Sequence, residues 1–283
     1  SFNQDISNWN VKKVEIMSNM FLEAVTFNQN ISSWDVSNVK DMYAMFGSAV
    51  SFNHSLASWN VENVRRVEWM FYNATKYNQP MNTWRLKSVT SLMKMFFLAS
   101  SFNQSLSSWN TSRIENMRST FNRAVSFNQD ISKWDTSRVS NMYGMFEGAT
   151  SFNRPLFDWD VSSVLELTHI FENATSFEQC LETWALKLPD RCVHCVDMIR
   201  DYIDSKFCPD SDMLYYFDSS RKIPCNFNNK AYRVVSSDND LIEMGVADFR
   251  IDGSVKTLII AHNHLDEIRL RLKMTRPEFL LTK

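Results

Sequence analysis

Glycine and proline are scarce, five and six in 283 residues. So few of either exclude a collagen-like chain, a linker-dominated chain and a Gly-rich phosphate-binding loop. No apolar run approaches the roughly 18–20 residues that a bilayer crossing needs; the longest lies near Leu258-Ile259-Ile260-Ala261. Cationic excess is also missing, since 30 Lys and Arg face 32 Asp and Glu, a formal net charge of −2. That balance speaks against nucleic acid or an anionic membrane as partner, because both are held by clustered Lys and Arg. Cysteine is absent from residues 1–179, and all five fall within residues 180–225. Ser1 begins neither with an initiator Met nor with a signal-peptide pattern. The sequence opens inside a motif, so a fragment or a processed chain is expected.

Aromatics are abundant instead, with nine Trp and 21 Phe, and they are periodic. Ser1-Phe2-Asn3-Gln4 returns as Thr26-Phe27-Asn28-Gln29 and again from residues 51, 76, 101, 126, 151 and 176, always at 25-residue spacing. With Ser1 as position 1, the unit reads S-F-N-Q-x-[IL]-S-x-W-[ND]-V-S-x-V-x-x-M-x-x-M-F-x-x-A-x. Position 9 is Trp in all eight copies: Trp9, Trp34, Trp59, Trp84, Trp109, Trp134, Trp159 and Trp184. Position 21 is Phe in the seven complete units: Phe21, Phe46, Phe71, Phe96, Phe121, Phe146 and Phe171. These side chains are expected to form a stacked structural lattice. Asn at position 3, as in Asn28 and Asn128, is expected to add a hydrogen-bonded ladder to the backbone of the neighbouring unit.

Within each unit, positions 14, 17, 20, 21 and 24 are apolar, a three-and-four spacing that predicts one face of a helix. Ser at position 12 or Asp/Asn at position 10 would cap it. Positions 5–9 are too short for a helix and read as a strand, with Pro80 and Pro155 at its end. A unit this small cannot bury its apolar face alone, but stacked copies can. The expected fold is therefore α/β, a solenoid of seven to eight strand-helix repeats over residues 1–188.

Ser126-Phe127-Asn128-Gln129-Asp130-Ile131-Ser132-Lys133-Trp134-Asp135 closely resembles the hallmark F-N-Q-D-I-S-x-W-D-V-S-x-V-x-x-M-x-x-M-F. That is the repeat of the BspA-like leucine-rich-repeat surface proteins, the mycoplasma-type lipoprotein repeat family. The resemblance covers residues 1 to about 188. It implies a leucine-rich-repeat-like solenoid on bacterial, protist or algal surfaces or in large DNA viruses. It further implies adhesion or interaction roles without known catalysis.

The pattern breaks at Leu188-Pro189-Asp190. Residues 189–283 read as a small α+β cap or domain, with an amphipathic helix of about 15 residues that includes Val193, Met198, Ile199, Tyr202 and Ile203, and strands at Met213–Phe217, Tyr232–Val235 and Val255–Ile260. Cys180, Cys192, Cys195, Cys208 and Cys225 leave three readings open: disulfides in a secreted protein, reduced thiols, or a zinc site. His262-Asn263-His264 with Asp266 reads as a polar turn ahead of a metal or acid–base site. His54 and His169 read as substitutions within the repeat. Neither G-x-S-x-G nor H-E-x-x-H occurs, and no cofactor or metal is expected. Asp5, Asp35, Asp130, Asp135 and Asp160 recur irregularly, which favours caps over a calcium ladder.

Six N-x-[ST] sequons occur, at Asn30, Asn53, Asn73, Asn103, Asn110 and Asn173. Asn53 and Asn103 occupy the lattice position and are expected to be buried. Asn73 and Asn173, at the ends of expected helices, are the candidate glycosylation sites. Repetition without a singular constellation of unlike groups points away from an enzyme. It points to an extracellular or cell-surface module that binds a protein or glycan through the solenoid surface. Trp69, Arg85 and Phe157 depart from the repeat and are the candidate contact residues. Two alternatives stay open: a structural component of a virion or extracellular filament, made with copies of itself or a larger assembly, and a small carboxyl-terminal enzyme or metal domain carried on the solenoid.

Overall fold

The computed structural model describes residues 2–179, then 181, 184, 187–189, 192 and 195, and three strands within residues 244–282. Ser1–Gln179 with Pro189–Cys195 form one compact unit, and Cys180–Leu188 with Val196–Lys283 form another.

In the first unit the backbone of each repeat is a succession of tight turns. Positions 5–9, expected as a strand, bend at positions 7 and 8 instead, and the Trp34 N–H returns to the Ile31 carbonyl at 3.1 Å. The cause is the short polar residue at position 5. Asp130 Oδ1 accepts the Ser132 N–H at 2.9 Å and Asn30 Oδ1 accepts the Ser32 N–H at 3.1 Å, local bonds that compete with a strand ladder. Positions 10 and 16 do the same, as in Ser137 N–H to Asp135 Oδ1 at 3.0 Å and Tyr143 N–H to Asn141 Oδ1 at 3.0 Å. The polar residues expected to cap helices thus make one Asx-type turn after another.

Positions 14–24 are not a helix either. The N–H groups of positions 20, 22 and 24 close three-residue turns, as in Met45 to Met42, Gly47 to Ala44 and Ala49 to Phe46, at 3.0–3.2 Å. Those of positions 17, 19, 21 and 23 leave the unit. Met42, Ala44, Phe46 and Ser48 donate to the carbonyls of Arg66, Glu68, Met70 and Tyr72 in the next unit, at 2.6–2.9 Å. Parallel bridges such as Ile16 to Asp41 and Asp41 to Arg66 mark the start of this inter-unit ladder. Sending alternate N–H groups outward requires positive φ at positions 19 and 23. Twelve non-glycine residues adopt it, from Ala44 at 48° to Trp69 and His169 at 61°, and the sixth unit places Gly144 and Gly148 there. Each non-glycine residue in this region costs about 1–2 kcal/mol, which the ladder bonds offset.

Turns closed over three residues bring positions 17, 20, 21 and 24 to the same side, the spacing a helix would also give. Met42, Met45, Phe46 and Ala49 are fully buried there. Phe21 and Phe27 stack at 4.0 Å between ring centroids, and Phe46 and Phe52 repeat the pair at 4.2 Å. Trp9 and Trp34, Trp34 and Trp59, Trp109 and Trp134, and Trp134 and Trp159 stack at 6.3–6.5 Å, and the indole N–H groups from Trp34 to Trp159 reach back to the position-6 carbonyl of the preceding unit, as in Trp109 to Met81 at 3.0 Å. Trp9 heads the row and is 51% exposed.

Asn Oδ1 atoms at position 3 join neighbouring units along another edge. Asn103 Oδ1 accepts both the Asn128 N–H and the Gln129 Nε2 group at 2.9 Å, and Asn28 Oδ1 accepts the Asn53 N–H at 3.0 Å. Exposed ion pairs at 25-residue separation, such as Lys40 to Glu15 at 2.8 Å, follow the same register.

In the second unit, β1 (Met244–Ile251), β2 (Ser254–Ala261) and β3 (Leu280–Thr282) form an antiparallel sheet in the order β2-β1-β3. The run read as a strand at 255–260 lies within β2. The expected helix around 193–203, apart from Cys195, and the expected strands at 213–217 and 232–235 lie outside the described residues.

Candidate interaction surface

Because equal positions of successive units sit side by side, side chains that turn outward from the ladder form columns. Position 18 carries Tyr43, Glu68, Met93, Arg118 and Tyr143; position 19 carries Ala44, Trp69, Lys94 and Ser119; position 22 carries Gly47, Tyr72, Phe97 and Asn122. In the third and fourth units position 19 supplies Trp69 and position 22 supplies Tyr72 and Phe97. Tyr72 and Phe97 stack at 5.2 Å with 18° between their planes, and Trp69 leans on Tyr72 at 4.8 Å. All three rings of this aromatic shelf are half-buried, stacked or leaning on one another and partly open to solvent.

Cations border the shelf. Lys94 Nζ lies 4.1 Å from the Trp69 ring centroid and 5.3 Å from that of Phe97. The Arg118 guanidinium covers Tyr143 at 4.2 Å and that of Arg66 lies 4.9 Å from Tyr43. Arg66 is neutralised, 2.8 Å from Asp41 and 4.0 Å from Glu68. Lys94 and Arg118 have no carboxylate within ion-pair distance among the described residues. Burial among the rings, and then the Arg118 charge, hold the Lys94 ammonium below the ordinary lysine value.

Trp69 therefore belongs to this surface, while its companions Tyr72, Lys94, Phe97 and Arg118 were not singled out from sequence. Their signal is visible when the repeats are read down a column: position 22 is otherwise Leu, Gly, Asn or Glu. Arg85 and Phe157 belong to other columns, positions 10 and 7, and are exposed. Arg85 replaces the Asx residue of its turn, and the Lys87 N–H bonds the Arg85 carbonyl in compensation at 3.0 Å.

Asn73 and Asn173 sit at positive φ in the ladder turns rather than at helix ends. Asn173 is exposed, whereas the half-buried Asn73 donates from Nδ2 to Ser48 Oγ at 3.2 Å. Asn53 and Asn103 are not buried: Asn53 is exposed and Asn103 half-exposed, and it is their Oδ1 atoms that the lattice uses. His54 Nε2 lies 3.1 Å from the Asn28 carbonyl, and His169 pairs with Glu172 beside Tyr143. Cys192 and Cys195 are joined by a disulfide. Cys180, Cys208, Cys225, His194, His262, His264 and Asp266 lie outside the described residues. Among the described residues no three His, Cys, Asp or Glu side chains converge on a metal-sized site, and no helix is long and apolar enough to cross a membrane.

Comparison with curated proteins and with solved structures gave no match. The sequence does match one family twice, over residues 1–109 and 90–196, the family described as Mycoplasma protein of unknown function, DUF285. The two matches together span more than half of the chain and coincide with the tandem repeats, so the chain is a repeat protein and belongs to the DUF285 family.

Proposed function

We propose that this chain is a non-enzymatic interaction module: a solenoid of stacked 25-residue units that binds a protein or glycan partner through its repeated surface, at the cell surface or outside the cell. The observation that carries this reading is the aromatic shelf of Trp69, Tyr72 and Phe97, at ladder positions where no other unit carries an aromatic carbocycle and most carry small or polar side chains. Large rings half-exposed on a rigid framework are contact residues by their physics, offering much apolar area for little side-chain entropy. Stacked repeats supply one face many times, whereas catalysis needs unlike groups converging once. The resemblance of the unit to the BspA-like leucine-rich-repeat surface proteins supports the surface placement.

The test replaces Trp69, Tyr72 and Phe97 together by Ala, Asn and Asn, residue types found at the same positions in Ala44 and Asn122. Wild type and variant are compared on glycan and peptide arrays. The reading expects ligands bound by the wild type to be lost in the variant with its melting temperature unchanged. Equal binding by both proteins would contradict it.

A further inference from the structure

We infer that the Cys192–Cys195 disulfide is a redox-sensitive clasp that holds the eighth unit of the stack shut, and that reduction by a dithiol frees its turn. Register gives the setting. Counted on from Ser176, Leu181, Trp184, Cys192 and Cys195 take positions 6, 9, 17 and 20 of an eighth unit, and all four are buried. The family match runs through this unit to residue 196. Positions 17 and 20 of the seven preceding units hold Met, Val, Leu, Ile or Thr and never Cys. The turn between those positions is kept: the Cys195 N–H donates to the Cys192 carbonyl at 3.0 Å, as that of Met45 does to Met42 at 3.2 Å. It sets the two Cα atoms 5.2 Å apart, within the span that a disulfide bridges. The repeated turn thus brings the two positions together, and this unit supplies thiols at both.

The turn needs a crosslink because it has given up two bonds that its counterparts make. In other units the position-14 N–H closes the turn before it, as Val39 to Val36 at 2.9 Å and Val164 to Val161 at 3.0 Å. Position 14 of the eighth unit is Pro189, which has no N–H to give. The position-17 N–H of Met17, Met42, Leu92, Met117 and Met142 crosses to the following unit at 2.8–2.9 Å. That of Cys192 turns back on the Pro189 carbonyl at 2.9 Å, so the ladder is not carried onward through this position. A turn without either bond opens more readily than its counterparts. The covalent tie opposes this by removing conformational freedom from the opened state.

Both cysteines are at most 3% exposed, so a reductant reaches the sulfurs only as the turn opens. A thiolate of the dithiol then attacks one Sγ, the S–S bond breaks and a mixed disulfide forms, and the second thiol of the reductant displaces the bound Sγ. Two electrons and two protons pass to the protein, which gains two thiols while the reductant leaves as a cyclic disulfide. Thiols behave as small apolar groups and suit the buried Met positions, so reduction loosens this turn and leaves the other units folded.

Native-state amide exchange of the full chain before and after dithiothreitol tests the inference, with alkylation and mass detection showing which thiols have formed. The Leu188 and Cys195 amides should exchange about tenfold faster or more once Cys192 and Cys195 are reduced. The Met42 and Phe46 amides of the ladder should keep their rates. The double variant Cys192→Met/Cys195→Met restores the residue types of Met42 and Met45 and leaves Cys180, Cys208 and Cys225 in place. Its exchange should not respond to dithiothreitol. Equal exchange of the wild-type Cys195 amide in both redox states would overturn the clasp, as would alkylation of both residues in the unreduced chain. A response of the double variant as large as that of the wild type would place the effect at another cysteine and overturn it as well.

Discussion

Trp109→Phe tests how the units are coupled. Trp109 is 4% exposed, stacks on Trp134 at 6.3 Å with planes 1° apart, and donates its indole N–H to the Met81 carbonyl at 3.0 Å. Phe keeps the aromatic stack and removes the donor. Met81 O still accepts the Trp84 N–H, so the carbonyl is not orphaned, and the lost bond is worth about 0.5–1.5 kcal/mol. The smaller ring leaves a void of about 40 Å³, costing ~1 kcal/mol at about 24 cal/mol per Å³. The sum is about 2 kcal/mol. Trp9→Phe is the internal control: Trp9 is 51% exposed, and its indole N–H donates to no carbonyl among the described residues. It should cost less than about 0.5 kcal/mol. Thermal melts followed by circular dichroism should show Trp109→Phe lower by roughly 4–8 °C, at 2–4 °C per kcal/mol, and Trp9→Phe by about 1 °C. Equal shifts for the two would refute the claim that the indole bond couples neighbouring units.

Tyr77 stands where other units have Phe, and its hydroxyl is buried without a hydrogen-bond partner, which pushes the phenol up. Tyr77→Phe removes an unmet desolvation penalty and should stabilise by about 1 kcal/mol or more in urea unfolding. Gly144 has φ of 55°, and an added Cβ would lie 3.0 Å from Glu147 Oε2 and 3.3 Å from Asn122 Nδ2. Gly144→Ala should therefore cost about 1–2 kcal/mol in the same assay. The side-chain and backbone bonds from Ser37 and Ser137 hold the Asp35 and Asp135 carboxyls below their ordinary value of 3.8. Their stabilisation is complete above that value and is lost as pH falls through the lower folded-state value. Asn occupies the same position at Asn60 and Asn110, so the double variant Asp35→Asn/Asp135→Asn should show a shallower fall in melting temperature at acid pH than wild type. An identical acid profile would contradict that assignment.

The 25-residue period, the Trp and Phe rows and the Asn edge are legible because they depend on residue identity at fixed spacing. The path of the backbone within a unit is not. Buried Met42, Met45, Phe46 and Ala49 have the spacing of a helix face because three-residue turns and helical turns share nearly the same period. What separates them is where alternate N–H groups go, and that depends on the neighbouring unit. A sign of it was present: Gly144 and Gly148, with Asn19, Asn73 and Asn173, fall at the two positions of positive φ, and Gly and Asn favour that region. Residues such as Trp69 and Leu98 at the same positions hide it. Trp69 stood out as the one Trp off the row, but Lys94 and Phe97 gain meaning only from stacking, which brings residues 25 apart into contact.

Through-hydrogen-bond couplings measured by NMR on isotope-labelled protein address the ladder directly. The Phe46 amide nitrogen should couple to the Met70 carbonyl carbon, and Ala44 to Glu68, as the N–H to O distances of 2.9 Å require. A coupling from Phe46 to the Met42 carbonyl instead would mean a helix in each unit, and would contradict the turn ladder on which the aromatic shelf is built.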